Sequence, residues 1–128
     1  MASALSTKDA PAALGPYSQA VKLPAASELI FVSGQIPLTP NGVLVSGTIA
    51  EELATALSNV QAILKEAGAT LENVVKSTVF LSDMEYFGEA NEEYLRWFTW
   101  DLKPARSCVA VKQLPKNARV EVECIARI

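Results

Sequence analysis

The chain has 128 residues, with 11 lysines and arginines, 14 aspartates and glutamates, and no histidine. Half of its residues are hydrophobic, so it is expected to fold, and its length fits one domain spanning residues 1–128. The formal net charge of −3 offers no basic surface to nucleic acid, and no apolar run is long enough to span a membrane. The lack of histidine excludes Ser-His-Asp triads, Cys-His pairs and the common zinc sites.

Hydrophobic patterning predicts three strands in the first third of the chain. Residues 17–23 form the first of these. Residues 29–33 are almost continuously apolar, which predicts a second strand that is covered on both faces. Asn41-Gly42 predicts a two-residue hairpin turn, and residues 43–45 form the return strand.

A helix is predicted over residues 49–67. Thr48 and Glu51 have the spacing of a capping box at its start, and Gly68 suits the left-handed position that follows a helix end. Apolar residues recur at helical spacing and give the helix one buried face: Leu53, Leu57, Val60 and Leu64.

Four further elements follow, in the order strand, helix, strand, strand: 74–81, 85–99, 105–111 and 119–127. Alternation places Arg119, Glu121, Glu123 and Arg127 on one face of the last strand. The complete order predicts an α+β fold with a mixed β-sheet and two helices on one face. The uncovered sheet face predicts a homo-oligomer, because a large exposed apolar surface usually marks an interface.

Arg106 is the first candidate for chemistry. It follows Pro104 at the entry of a strand, and a rigidly held guanidinium can bind a carboxylate through two parallel hydrogen bonds. The alternative is a surface ion pair with Glu121 or Glu123. These two carboxylates suit either acid–base work or a solvated strand face. The strand register, which decides whether Arg106 and Glu121 share a face, is not fixed by the sequence.

Four other residues leave alternatives open. Asn91 falls on the buried stripe of the second helix, where its amide needs a partner: a loop backbone or a group in a site. Tyr17 follows Gly15-Pro16 and is either a pocket aromatic or a core tyrosine. Cys108 and Cys124 could form one disulfide, but two reduced, partly buried thiols are predicted. Because no histidine can activate Cys108, a packing or backbone role is favoured for it.

Six motifs occur in order along the chain. They are Ala10-Pro11-Ala12-Ala13 with Gly15-Pro16-Tyr17, then Val32-Ser33-Gly34-Gln35-Ile36-Pro37, then Asn59-Val60 with Ala67-Gly68, then Val75-Lys76-Ser77-Thr78-Val79-Phe80-Leu81, then Pro104-Ala105-Arg106-Ser107-Cys108-Val109, and finally Leu114-Pro115-Lys116 followed by Val120-Glu121-Val122-Glu123. With these motifs, essentially the whole chain resembles the RidA (YjgF/L-PSP) family of reactive-imine deaminases.

The resemblance implies a chorismate-mutase-like α+β fold and a homotrimer with pockets at the subunit interfaces. It implies hydrolysis of 2-iminobutanoate, 2-iminopropanoate or the enamine 2-aminoacrylate, which escape from PLP-dependent dehydratases, to 2-keto acids and ammonia. No metal or organic cofactor is implied. The N-terminal composition predicts a cytoplasmic protein, or a mitochondrial one if a presequence was removed.

The resemblance also implies roles for individual residues. Arg106 matches the arginine that binds the substrate carboxylate, and Glu121 matches the acidic residue that orients or activates water. The remaining matched pocket positions are Tyr17, Ser33, Gly34, Asn91 and Cys108. Two alternatives stay open: an endoribonuclease that inhibits translation, and a non-enzymatic trimeric ligand-binding or chaperone-like module.

Overall fold

The computed structural model describes residues 2–128 of the chain. No helix within these residues is both long and apolar enough to cross a lipid bilayer. The elements in chain order are β1 (Ser3–Leu5), β2 (Ala20–Lys22), β3 (Leu29–Gln35), α1 (Ile49–Glu66), β4 (Val74–Leu81), α2 (Phe87–Trp97), β5 (Ala105–Ala110) and β6 (Val120–Arg127).

A four-stranded mixed sheet forms the centre of the fold, in the order β3-β6-β4-β5. β4 and β5 run parallel, whereas the other pairs are antiparallel. Strands β1 and β2 form a separate antiparallel pair. Helix α1 packs on β3 and β6, and α2 packs beside α1. The predicted α+β architecture, with two helices on one face of a mixed sheet, is confirmed.

The core lies between the helices and this face of the sheet. The predicted start of α1 is confirmed, because the Thr48 hydroxyl accepts from the Glu51 amide and the Glu51 carboxylate accepts from the Thr48 amide, both at 3.1 Å. Gly68 has a φ of +77° just beyond the helix end, as expected. The α1 and sheet residues that share this core include Leu53, Leu57, Val60, Leu64, Val79, Leu81, Val120 and Val122.

The N-terminal region differs from the prediction. The strand predicted over 17–23 is confined to β2, because Pro16 has no amide hydrogen and the Tyr17 amide donates to the Gly15 carbonyl in a tight turn. Ser18 forms only an isolated bridge with Ala105. Strand β1 was not predicted, since its three exposed residues carry no alternation signal.

The hairpin at Asn41-Gly42 has a longer loop than predicted. The Thr39 amide donates to the Val43 carbonyl, and the Gly42 amide donates to the Thr39 carbonyl, which gives a three-residue loop with Gly42 at a φ of +82°. Pro40 fits the first corner of such a turn. The return strand 43–45 is reduced to a single bridge between Leu38 and Leu44.

Strand β3 is covered on one face only, which corrects the prediction of two covered faces. Val32 is buried toward the helices, whereas Phe31 is 70% exposed on the opposite face. Leu29 and Val109 are also exposed there. The apolar run 29–33 therefore belongs to an open sheet face, as the predicted oligomer requires.

The second helix is shorter than the predicted 85–99. The Asp83 side chain accepts from the Glu85 amide at 2.9 Å and caps a 3-10 turn over Met84–Tyr86, which leads into α2. The predicted last strand began one residue early, since β6 starts at Val120. Arg119 does not share the face of Glu121 as predicted, because its side chain turns toward α1.

Arg119 forms an ion pair that ties the start of β6 to α1. Its Nε donates to Oε2 of Glu52 at 3.0 Å, and its Nη2 bonds both Glu52 and the Gly47 carbonyl. Glu52 is only 3% exposed, so its carboxylate depends on this partner. The ion pair lies two residues from Glu121 and therefore fixes the segment that carries this candidate site residue.

Replacing Arg119 with Ala is expected to lower the free energy of unfolding by about 2 kcal/mol or more, because it leaves a buried carboxylate unpaired. The double variant Arg119→Met, Glu52→Leu should recover most of this loss. Chemical denaturation at constant protein concentration measures both, with exposed Lys112→Ala as a control expected within about 0.5 kcal/mol of wild type. An Arg119→Ala protein as stable as the control would contradict the structural role of the pair.

Candidate functional site

Arg106 lies on β5 at a strand entry that is fixed by the chain before β2. The Ser18 amide donates to the Pro104 carbonyl at 3.0 Å, and the Ser18 hydroxyl donates to the Lys103 carbonyl at 2.5 Å. Pro104 is buried and constrains its own φ. These contacts hold the backbone of Arg106 at the edge of the sheet, next to the proline that the sequence predicted would constrain the strand entry.

The guanidinium of Arg106 binds Asn91 rather than an acid. Its Nη1 donates to Oδ1 of Asn91 at 2.7 Å. Within residues 2–128, the ion pairs join Arg96 to Glu93 and Arg119 to Glu52, and Arg106 takes part in neither. The alternative of a surface pair with Glu121 or Glu123 is therefore wrong for the single chain. Asn91 thus bonds the candidate site arginine rather than a loop backbone, and its role at a site stays a prediction.

Tyr17 lies against the same guanidinium. Its ring centroid is 5.6 Å from Cζ of Arg106, and its hydroxyl accepts from the Leu14 amide at 3.2 Å. A Cβ at Gly15 would lie 3.4 Å from the Tyr17 ring and 3.6 Å from Nη2 of Arg106. The Gly15-Pro16-Tyr17 motif thus brings a tight turn and an aromatic ring directly beside Arg106.

Cys108 is half-buried. It lies on the same sheet face as Arg106, because residues two apart on a strand share a face. Burial raises the pKa of its thiol, and the nearby Arg106 charge offsets only part of this effect. Cys124 is buried, and its pKa is raised to about 12. Both cysteines are free thiols, as predicted; β4 separates them, with Cys108 opposite Val79 and Cys124 opposite Ser77.

The strand register places Arg106 and Glu121 on opposite faces of the sheet. Arg106 lies beside Ser77 on β4, whereas Glu121 lies beside Phe80. Positions 77 and 80 differ by an odd number, so their side chains point to opposite sides. Arg106 is thus on the helix-covered side at the edge strand, and Glu121 is on the open side.

Glu121 lies close to Gly34, and Ser33 directly precedes Gly34 on β3. A Cβ at Gly34 would come within 2.8 Å of the Glu121 carboxylate, so glycine leaves the space that this side chain occupies. Partial burial raises the pKa of the Glu121 carboxyl, and the charge of neighbouring Glu123 raises it further. The seven site residues predicted from the sequence therefore fall into two groups: Tyr17, Asn91, Arg106 and Cys108 around the guanidinium, and Ser33, Gly34 and Glu121 on the open face.

Within residues 2–128, the two groups lie on opposite faces of the sheet. A cavity of about 680 Å³ is lined by residues of the N-terminal segment and includes Tyr17, but neither Arg106 nor Glu121 borders it. Among residues 2–128, no three His, Cys, Asp or Glu side chains are grouped as a metal site would require.

The sequence reasoning missed two residues beside Arg106. The rings of Phe87 and Tyr94 both lie within 6 Å of the guanidinium carbon. A signal was present, because Phe87, Asn91 and Tyr94 have the spacing i, i+4, i+7 of a single helix face. The partner of that face could not be found without the register of β5.

Comparisons with protein families, individual relatives and solved structures agree with one another. The family model described as Endoribonuclease L-PSP matches residues 7–128. A Mus musculus protein named 2-iminobutanoate/2-iminopropanoate deaminase is 50% identical over 123 residues, which cover 95% of this chain and 88% of the mouse protein.

Two solved E. coli structures share the fold. The yjgF gene product is 40% identical with a TM-score of 0.73, and the alignment covers 97% of each chain. TdcF, solved with bound serine, is 37% identical with a TM-score of 0.73 and the same coverage. Because the family model spans nearly the whole chain and the mouse relative is half identical over it, the chain belongs to the RidA (YjgF/L-PSP) family.

Proposed function

We propose that this protein hydrolyses 2-imino acids, such as 2-iminobutanoate and 2-iminopropanoate, to 2-keto acids and ammonia. The observation that carries the proposal is Arg106, a half-buried guanidinium that has no acidic partner within residues 2–128. The name of the mouse relative supports this substrate class, and the serine bound to E. coli TdcF supports a ligand with an α-carboxylate.

The free edge of the Arg106 guanidinium binds the substrate carboxylate. A bidentate, charge-assisted pair fixes the carboxylate plane and so places C2, the carbon that water attacks. Asn91 accepts a hydrogen bond from only one nitrogen of the guanidinium, Nη1. The N–H groups of the other nitrogens remain as donors for the ligand.

The complete site forms between two copies of the chain in a homotrimer. Because Arg106 and Glu121 point to opposite faces of one sheet, a single chain cannot direct both at one small molecule. Phe31, 70% exposed on the open face, supplies apolar surface for such an assembly. A neighbouring copy that covers this face would bring its own edge strand β5, which carries Arg106, toward Glu121.

Glu121 holds the attacking water. Its carboxylate accepts a proton from the water as the oxygen bonds to C2 of the protonated imine, and the C=N π electrons become a lone pair on nitrogen. Glu121 then returns this proton to the carbinolamine nitrogen. The C–N bond breaks as ammonia leaves, and the hydroxyl proton passes to the Glu121 carboxylate and on to solvent as the C=O bond forms. One water is consumed, and one 2-keto acid and one ammonia are formed.

This mechanism needs no covalent nucleophile. A protonated imine carbon is already electrophilic, and burial keeps the Cys108 thiol protonated near neutral pH by raising its pKa. Cys108 therefore lines the pocket and contributes packing and backbone groups. No metal or organic cofactor enters the proposed reaction. The location of the protein, in the cytoplasm or in mitochondria, stays a prediction.

Replacing Arg106 with Ala is expected to lower kcat/KM for imine hydrolysis at least about 100-fold, because two charge-assisted hydrogen bonds to the carboxylate are lost. A PLP-dependent threonine/serine dehydratase generates the imine in situ, and semicarbazide traps what remains. The matched control is Arg96→Ala, since Arg96 is exposed and belongs to neither group of site residues.

A fall in semicarbazone formation with wild type and Arg96→Ala, but not with Arg106→Ala, is the expected result. Equal activity of Arg106→Ala would contradict the carboxylate role. If wild-type protein binds 2-keto acids yet hydrolyses no imine, the deaminase proposal fails and the ligand-binding module replaces it. RNA cleavage that disappears in Arg106→Ala would instead support the endoribonuclease alternative.

The Glu123→Gln variant is expected to shift the acid limit of activity to lower pH. The carboxylate form of Glu121 is required, so activity is lost as pH falls through its raised pKa. Removing the Glu123 charge lowers that pKa, although burial, the larger cause, still holds it above its ordinary value of 4.5. Carbon-13 NMR titration of the Glu121 carboxyl measures the shift directly, with exposed Glu72→Gln as the control. An unchanged or higher Glu121 midpoint in Glu123→Gln would contradict this coupling.

A further inference from the structure

One face of α2 is directed at Arg106. Phe87, Asn91 and Tyr94 follow the spacing i, i+4, i+7, and each contacts the guanidinium of the edge strand. Cζ of Arg106 lies 5.8 Å from the Phe87 ring centroid and 5.0 Å from that of Tyr94. With Tyr17 at 5.6 Å, three aromatic rings surround one cation.

The Tyr94 ring is itself held firmly. It is 1% exposed, it stacks on Phe98 with centroids 4.3 Å apart, and its hydroxyl lies 2.7 Å from Oγ of Ser77. Ser77 is the β4 residue directly beside Arg106 in the sheet. The guanidinium therefore packs against a ring that is held in one position. Burial raises the pKa of Tyr94 to about 12, so the ring stays neutral under working conditions.

The rings attract the cation without neutralising it. The face of an aromatic ring carries negative potential, so a guanidinium within about 6 Å is stabilised there. A carboxylate partner would hold Arg106 equally well, but it would occupy the donors that the substrate carboxylate needs. Asn91 supplies one directional hydrogen bond, and the rings restrict the remaining motions of a long side chain.

We propose that Phe87 and Tyr94 are positioning residues, which together with Tyr17 form an aromatic cage that holds the Arg106 guanidinium oriented and still free to bind a carboxylate. The inference rests on the proposed function, because it assumes that Arg106 binds the substrate. It extends that function to two residues of α2 that act through Arg106.

The two residues differ in how they can be tested. Tyr94 belongs to the core, so its removal would damage the fold. Phe87 is half-buried at the start of α2, where leucine keeps apolar bulk but removes the π face. Tyr86→Leu is the matched control, because the Tyr86 ring lies 5.4 Å from Cζ of Arg119, an arginine that already has the Glu52 carboxylate as partner.

The experiment measures binding of 2-oxobutanoate by calorimetry and imine hydrolysis by the trapping assay. Phe87→Leu should weaken 2-oxobutanoate binding about three- to tenfold and raise KM by the same factor, with kcat changed less than about twofold. Phe87→Tyr, which restores an aromatic face, should return both values to wild type. Tyr86→Leu should lower thermal stability without changing either.

A ligand-free readout accompanies these measurements. The NMR signal of the Arg106 Nε–H group should carry ring-current shifts in wild type and lose part of them in Phe87→Leu. The linewidth of this signal should also differ between Phe87→Leu and wild type, because the guanidinium rotates more easily in the variant. Phe87→Tyr should retain the wild-type signal.

The outcomes separate the two proposals. If Phe87→Leu loses stability and kcat while KM, 2-oxobutanoate affinity and the Arg106 signal stay unchanged, Phe87 is merely structural and the cage is overturned, whereas the deaminase proposal stands. If wild type binds 2-oxobutanoate through Arg106 but hydrolyses no imine, the deaminase proposal fails, and the change in affinity still decides the cage. If wild type binds no 2-oxobutanoate, the carboxylate role and the cage fail together.

Discussion

The positive charge of Arg106, held without an acidic partner inside residues 2–128, is the constraint on which the rest of the site depends. A half-buried guanidinium in this position must be stabilised by other means. Here the means are neutral: the Asn91 amide and the rings of Tyr17, Phe87 and Tyr94. The turn before β2 and one face of α2 both contact this side chain. Because these contacts are uncharged, the positive charge remains available to an anion.

The second constraint is the strand register. By placing Arg106 beside Ser77 and Glu121 beside Phe80, it sends the two candidate catalytic groups to opposite faces of one sheet. The open face also exposes Phe31 and Val109, which an isolated chain would leave in water. The proposed trimer would meet both constraints, since it would cover the apolar surface and join the two groups in one pocket. The proposed function and the proposed oligomer therefore depend on each other.

Local signals in the sequence predicted much of the fold. The capping box at Thr48 and the periodic apolar residues located α1, and alternation located β4 and β6. Short exposed elements such as Ser3–Leu5 carry no such signal. The run 29–33 was misjudged, because its apolar residues Leu29 and Phe31 lie on a sheet face that the single chain leaves open. The motifs contain six of the seven candidate residues, all except Asn91, which lies on the second helix. Their division into two groups could not be predicted, because it depends on pairings between strands that are distant in sequence.

The central claim is that one active site takes Arg106 from one copy and Glu121 from another. The most direct test is complementation between Arg106→Ala and Glu121→Gln, each inactive alone, after they are unfolded and refolded together as mixed trimers. One intact site is expected in every mixed trimer, so random mixing should restore about a quarter of wild-type imine hydrolysis. Mixed trimers that form but stay inactive would contradict a site shared between copies.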